Sequence, residues 1–380
     1  MLTFQLSAEL DPFCDPNADC GLCYVRAEGS NDAVHHFWAT FGAPAMLSVH
    51  TSPTARLLNV SWDSLRKREL SVATFNFSEP PIASSAVVLS KLWEYKDVNN
   101  TAKVDPGSAN GTHYISLGDL VWGDIGGCEG NGSEVVVATF TANSSTLHED
   151  LVYFSKNGVI QITVSLTPRS ACSKIIQIIY VTSSSRFVFR YLSTALPRKP
   201  SGVCHPYLWC YFGLSRSAPS GARRQTRLKT IHDQVAPSVF NVAVVPGSNA
   251  LSSLPTYLHW KPVSYRDSKQ TVTLSVDATD HGLTHGADWW LFNVATAWMS
   301  NRTPNVSSTA LNWTLGSEGD GHYKKYGYAT WSVSAGFGDV PVEQVSTTVI
   351  AVTSVGLGIP GIVAIVTVGY LALYKPEPSL

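Results

Sequence analysis

Between Gln344 and Tyr374 the chain carries 31 consecutive residues without a formal charge, and from Val349 onward Val, Ile, Leu, Ala and Gly dominate. As a helix, Val349 to Tyr374 would span about 39 Å at roughly 1.5 Å per residue, against a hydrocarbon core of about 30 Å, so one slightly tilted membrane crossing fits. A core helix of that length with no polar face would be unusual in a soluble fold. Gly356, Gly358, Pro360 and Gly361 sit mid-segment. They weaken a helix in water but are tolerated in a bilayer, and they read equally as a packing surface for a second helix or as a kink in an anchor. Lys375 follows the run and Glu343 precedes it. This weak positive-inside signal places residues 375–380 in the cytosol and the rest on the lumenal side.

Asparagine supplies an independent topology signal. The chain has 16 Asn, and Ser and Thr make up 74 of its 380 residues, so chance would give about three Asn-X-Ser/Thr glycan acceptors. There are nine: Asn59, Asn76, Asn99, Asn110, Asn131, Asn143, Asn301, Asn305 and Asn312. All lie before the apolar run, so a lumenal, heavily glycosylated body is expected. That expectation also accounts for the low charge. Charged residues are 14% of the chain, against about 25% in ordinary soluble proteins, and neutral glycans can hydrate a surface in their place. With 27 Lys and Arg against 28 Asp and Glu, no surplus of positive charge exists to bind a nucleic-acid backbone. The 11 Trp, 15 Tyr and 14 Phe exclude a disordered chain.

Met1 to Ser30 shows no basic segment followed by an apolar one, so no signal peptide is visible. Either the sequence starts after one, or the protein is tail-anchored and cytosolic; the acceptor excess and the cysteines favour the first. The seven cysteines, Cys14, Cys20, Cys23, Cys128, Cys172, Cys204 and Cys210, allow up to three lumenal disulfides, with a connectivity that spacing does not reveal. Cys20-Gly21-Leu22-Cys23 lacks the second pair of a zinc site and the βαβ setting of a redox motif, so it reads as structural.

Before the crossing, apolar or alternating runs of strand length recur at Ala55–Trp62, Ala86–Trp93, Glu134–Phe140, Val159–Leu166, Lys174–Thr182, Arg186–Leu192, Val239–Val245, Thr271–Val276 and Ala329–Ala335. Turn residues such as Asp105-Pro106-Gly107 and Asn157-Gly158 separate them. No sustained helical period is seen. The pattern predicts an all-β lumenal ectodomain of two packed antiparallel sandwich-like domains plus one C-terminal transmembrane helix. The expected division is 1–200, then 201–346 with a long entry loop in the Leu196–Thr230 stretch, a crossing at 347–374 and a tail at 375–380.

Motifs for catalysis are missing: there is no G-x-S-x-G, H-E-x-x-H, P-loop or G-x-G-x-x-G in the required context. His281 and His285 lie four apart near Asp277, Asp280 and Asp288, a spacing that would ligate a metal from a helix. Gly282 and Gly286 disfavour a helix, so a solvated loop after the strand is expected. His35 and His36 are adjacent and would point to opposite faces of a strand, so one of them is expected in the core. Arg224-Gln225-Thr226-Arg227 has a processing-site spacing but reads as a basic loop. Trp289-Trp290 could supply contact hot spots, although core burial is the ordinary fate of Trp. Neither a catalytic site, a metal nor a cofactor is expected.

Ile231-His232-Asp233-Gln234-Val235-Ala236-Pro237-Ser238-Val239-Phe240, followed by His259-Trp260-Lys261-Pro262-Val263-Ser264-Tyr265, resembles the central signature of the glycosylated lysosomal membrane protein family. His36-Phe37-Trp38-Ala39-Thr40-Phe41-Gly42 and Leu57-Leu58-Asn59-Val60-Ser61-Trp62 are similar to its N-terminal region. The resemblance implies a type I single-pass protein of the lysosomal membrane, with a lumenal ectodomain that acts as accessory subunit of a multi-pass major facilitator superfamily dipeptide transporter and protects it from proteolysis. A cell-surface receptor or adhesion ectodomain is the alternative. The resemblance also implies a disulfide between Cys172 and Cys204, with Cys210 as competitor. Tyr370-Leu371-Ala372-Leu373 matches a tyrosine-based sorting pattern but lies inside the apolar run, and Tyr374-Lys375-Pro376-Glu377 ends in Glu.

Overall fold

The computed structural model of the chain describes residues 5–18, 20–69, 74–96, 112–132, 135–143, 159–166, 185–192, 204–214, 225–230, 239–245, 256–260, 263–265, 272–284, 292–299, 307–315, 328–337 and 347–373. The first strands are β1 (Gln5–Leu10), β2 (Leu22–Glu28), β3 (Ala33–Ala39), β4 (Ala45–Thr51), β5 (Leu57–Val60), β6 (Phe75–Phe77) and β7 (Ala83–Lys96). Then come β8 (Thr112–Ser116), β9 (Gly126–Glu129), β10 (Asn131–Gly132), β11 (Val136–Asn143), β12 (Val159–Leu166), β13 (Ser185–Leu192) and β14 (Cys204–Leu214). The last are β15 (Gln225–Thr230), β16 (Val239–Val245), β17 (Thr256–Trp260), β18 (Val263–Tyr265), β19 (Ser275–Thr284), β20 (Ser307–Leu315) and β21 (Tyr328–Phe337). Among the described residues three α-helices accompany them: α1 (Trp62–Arg66), α2 (Val294–Met299) and α3 (Thr347–Leu373).

Every described pairing is antiparallel. One sheet runs β10-β1-β2-β3-β4-β7-β14-β20-β19, with β8 continuing along β7 beyond the end of β4. A second runs β9-β11-β12-β13-β21-β17-β16-β15. Strand β18 pairs with β19 of the first and β21 of the second, so the two sheets are continuous there. The antiparallel β ectodomain is thus as the alternation predicts, and among the described residues one long apolar helix stands where the uncharged run predicts it. Strands β12 and β16 match their predicted bounds to the residue.

Strand β3 is buried at all seven positions, which requires cover on both faces of the first sheet. Phe37 and Ala39 face a cluster built with Phe75 of β6, Trp62 and Leu65 of α1 and Trp298 of α2. Phe37 stacks on Phe75 at 4.1 Å between ring centroids, and Trp298 touches both Phe75 and Phe77 at 6.0 and 5.7 Å. On the other face the alternation places Val34, His36 and Trp38 beside Cys23 of β2, whose disulfide reaches β9 of the second sheet. Strands β11 and β12 turn Val136, Ala138, Phe140, Ile160, Ile162 and Val164 inward and leave Val137 and Thr139 toward water. A side chain the size of Phe contributes about 2 to 3 kcal/mol when fully buried, so these two layers carry the fold.

Two short helices are findings that the helical period could not reveal. Asn293 caps α2: its Oδ1 accepts from the N–H groups of Ala295 and Thr296, both at 2.9 Å. The segment reaches the core because the loop before β4 yields to it. The N–H of Ala43 donates to the carbonyl of Phe292 at 3.1 Å. Gly42 has φ +66°, and a Cβ there would lie 1.9 Å from that carbonyl oxygen. Gly42→Ala should therefore cost more than about 2 kcal/mol, through the left-handed backbone and the forced separation of α2 from the sheet. A lowered thermal midpoint of the detergent-solubilised chain would register it; an unchanged one would mean that the Phe292 contact is dispensable.

Several predicted strands shift. Ala55–Trp62 shortens to β5, because Trp62 turns into α1. Thr271–Val276 gives way to a short 3-10 turn at Val272–Leu274, and β19 then runs through Asp277, Asp280 and His281 to Thr284. The loop expected there is a strand, with its register broken between Asp280 and Leu283 where Gly282 falls. Likewise Gln225–Thr230, expected as a basic loop, is strand β15 paired with β16. Lys174–Thr182 lies outside the described residues.

Candidate functional site

The acceptor-bearing surface centres on the β5–β6 hairpin. Asn59 and Asn76 are both exposed, and they are direct partners across the hairpin. Their neighbours Val60 and Phe75 point the other way, into the core. Both acceptor hydroxyls belong to the local architecture. Ser61 lies at the N-cap of α1, its Oγ is 3.2 Å from that of Ser64, and its N–H donates to Thr74. Ser78 Oγ accepts from the N–H of Arg56 at 2.9 Å. Asn131 begins β10 and Asn143 ends β11. Asn312 lies on β20 opposite Trp209 of β14. Asn99, Asn110, Asn301 and Asn305 lie outside the described residues, as do His285, Asp288, Trp289 and Trp290.

The cysteines near the N-terminus pair in a way that their spacing did not show. Cys23 bonds to Cys128, 105 residues away, and both are buried. Cys20 bonds to Cys14 within one loop. The two cysteines of the C-x-x-C segment therefore go to different partners. Arg66 Nη2 lies 3.5 Å from Cys20 Sγ, and Asp11 Oδ1 accepts from the N–H groups of Gly21 and Leu22, both at 2.6 Å. This loop is a structural strap. Cys204 opens β14 opposite Lys96, and Cys172 lies outside the described residues.

Both adjacent histidines are buried, at 0% and 2% exposure, where a single core-facing one was expected. The two faces of β3 explain it. Tyr24 Oη lies 2.7 Å from His35 Nδ1, and His35 Nε2 lies 3.1 Å from Thr51 Oγ1. Burial pushes the Tyr24 hydroxyl well above its usual range, so it stays protonated. It then donates to Nδ1, which leaves Nε2–H to donate to Thr51, while Thr51 donates to the carbonyl of Ser52 at 3.0 Å. His36 Nδ1 lies 2.9 Å from Ser48 Oγ on the opposite face. Burial pushes both imidazoles down to about 3, with Arg26 adding to the effect at His35. They are neutral parts of the core in this arrangement. Among the described residues no three His, Cys, Asp or Glu side chains lie within reach of one ion.

Helix α3 presents its described side chains outward along its length, with Pro360 inside it. Its stretch Ser354–Leu371 is long and apolar enough to cross a membrane. The family model described as glycosylated lysosomal membrane protein matches residues 21–377. The chain belongs to that family. Glycosylated lysosomal membrane protein of Danio rerio is 27% identical to it, over 94% of this chain and 86% of the relative. The protein B of that name from Xenopus laevis is 25% identical over 91% and 84%, and the Homo sapiens protein 25% over 90% and 81%. Membership in the glycosylated lysosomal membrane protein family assigns the chain to the lysosomal membrane glycoproteins, in agreement with its acceptor excess and its one apolar helix.

Proposed function

We propose that this chain is a non-enzymatic accessory subunit of a multi-pass major facilitator superfamily transporter, a dipeptide exporter, in the lysosomal membrane. Its lumenal β-ectodomain, in which strands from both halves of the chain share each sheet, covers the transporter's lumenal loops and shields them from proteases. The observation that carries this reading is family membership over nearly the whole chain combined with a disulfide-tied β-body that displays acceptors on exposed strand positions. Paired strands resist cleavage because a protease needs a locally unfolded, extended segment, and glycans add bulk without requiring chemistry on a substrate. Helix α3 anchors the body with its lumenal side before Thr347.

Cross-linking and mass spectrometry on purified lysosomes should recover one multi-pass partner, and deletion of this chain should deplete that partner. Replacing all nine acceptor asparagines by Gln should shorten the partner's lysosomal half-life while leaving its synthesis unchanged. An unchanged half-life would remove glycans from the mechanism. Recovery at the plasma membrane with an extracellular ligand would favour the receptor reading instead.

A further inference from the structure

The hairpin β5–β6 places two acceptor triplets face to face. Asn59 and Asn76 are cross-strand partners directly after the register shift between Leu57 and Asn59, and both are exposed, so their side chains leave the hairpin about 5 to 8 Å apart. Either asparagine alone would be an ordinary surface acceptor. Together they put the roots of two branched sugars closer than the sugars are wide, so any two glycans there must leave side by side and in contact.

The closed hairpin also restricts when they can be added. An acceptor is recognised through its asparagine amide and the hydroxyl two residues on. In the folded chain those hydroxyls are in use: Ser78 Oγ accepts the Arg56 N–H at 2.9 Å, and Ser61 Oγ lies 3.2 Å from Ser64 Oγ while the Ser61 backbone N–H donates to the Thr74 carbonyl as α1 begins. Both asparagines are moreover held in paired, extended strands.

We propose that Asn59 and Asn76 form one composite modification site, a twin-glycan acceptor filled before the hairpin closes. At each asparagine, Nδ2 forms a bond to the anomeric carbon of a lipid-diphosphate-linked oligosaccharide. The anomeric C–O bond to the diphosphate breaks, the amide gives up one N–H proton, and the lipid diphosphate leaves with the bonding pair. Once both sugars are in place they fix the hairpin's register. A slip of one residue would turn Asn76 toward the face that Phe75 and Phe77 occupy against Trp298, and a glycan cannot enter that core. The two sugars thus act as a lock on which face of the hairpin is buried.

This inference rests on the lumenal, glycan-bearing reading but not on the transporter partner. The full chain is expressed in secretory cells as wild type, Asn59→Gln, Asn76→Gln and the double variant, with Ser78→Ala as a second way to abolish one triplet while keeping Asn76. Intact mass should show one glycan lost in each single variant and two in the double. Under native conditions a peptide N-glycosidase should release the surviving glycan of each single variant severalfold faster than it releases either glycan of the pair, with the glycan at Asn131 as internal reference. In pulse-chase, both glycans should be present on chains whose Cys23–Cys128 bond has not yet formed. One site empty in the wild type, equal release rates, or glycans that appear only after that disulfide would overturn the proposal while leaving the shielding role intact. Absence of glycans at all nine acceptors would overturn both.

Discussion

Replacing Cys23 and Cys128 together by serine should remove about 4 to 5 kcal/mol of stability, because their bond closes a loop of 105 residues that the unfolded chain must otherwise search. The loss is large beside the roughly 5 to 15 kcal/mol that holds a typical domain folded. The expected phenotype is retention of the chain early in the secretory route, with a sharply lowered denaturant midpoint for whatever folds. Replacing Cys14 and Cys20 offers the internal control. That bond spans only 6 residues, and the same relation gives about 2 kcal/mol. If both double variants unfold at similar midpoints, the packing of β2 against β9 aligns the sheets unaided, and the long-range bond is redundant.

Acidification should cost nearly as much. His35 and His36 are held down to about 3 by burial, whereas the unfolded imidazole titrates near 6.5. Below that value the unfolded chain takes up protons which the folded core refuses. Full stability therefore holds above pH 6.5 and is lost progressively as pH falls toward 3. Each imidazole costs about 2 kcal/mol at pH 5 relative to pH 7.5, or about 4 kcal/mol for the pair. The measurement is the slope of unfolding free energy against pH between 4 and 6. His36→Gln should lower that slope by about one proton, close to 1.4 kcal/mol per pH unit, whatever it does to stability itself. An unaltered slope would mean that His36 is protonated in the native state.

That cost falls in the acidic compartment that the family's name assigns to it, so the covalent cross-links have an energetic purpose there. A β-body that lost several kcal/mol on arrival would open locally more often, and proteases would find the open forms. Long-range cross-linking counters this by lowering the entropy of the open states.

How far the sequence foretold this fold depended on where water stood. Strand β12, Val-Ile-Gln-Ile-Thr-Val-Ser-Leu, has one wet face, and its alternation located it to the residue. Strand β3, Ala-Val-His-His-Phe-Trp-Ala, has none, so its polar residues carried no periodic message and it is missing from the predicted runs, although His35 and His36 read as strand neighbours. Helix α2 is six residues long, too short for a period, although Asn293 before Val-Ala-Thr was a readable cap. Strand β14 was obscured by Pro206 and two cysteines. The acceptors themselves were legible as triplets. Their pairing was not, because the register of β5 on β6 is set by Val60 and Phe75 sinking into a core that includes Trp298, more than two hundred positions further along. The Cys23–Cys128 disulfide escaped for the same reason: residues so far apart become neighbours only through the sheets between them.

Strand β21 has β13 along one side and β17 with β18 along the other. Among the described residues it is also the last strand before the anchor helix. During synthesis, β13 and β17 must each wait with an open edge until residue 337 has emerged, and open edges invite pairing with other chains. Completion of the second sheet is consequently tied to completion of the polypeptide. A chain cut short anywhere before Tyr328 would lack both its anchor and the strand that joins β13 to β17, so quality control meets an unfinished sheet and a soluble fragment in the same molecule.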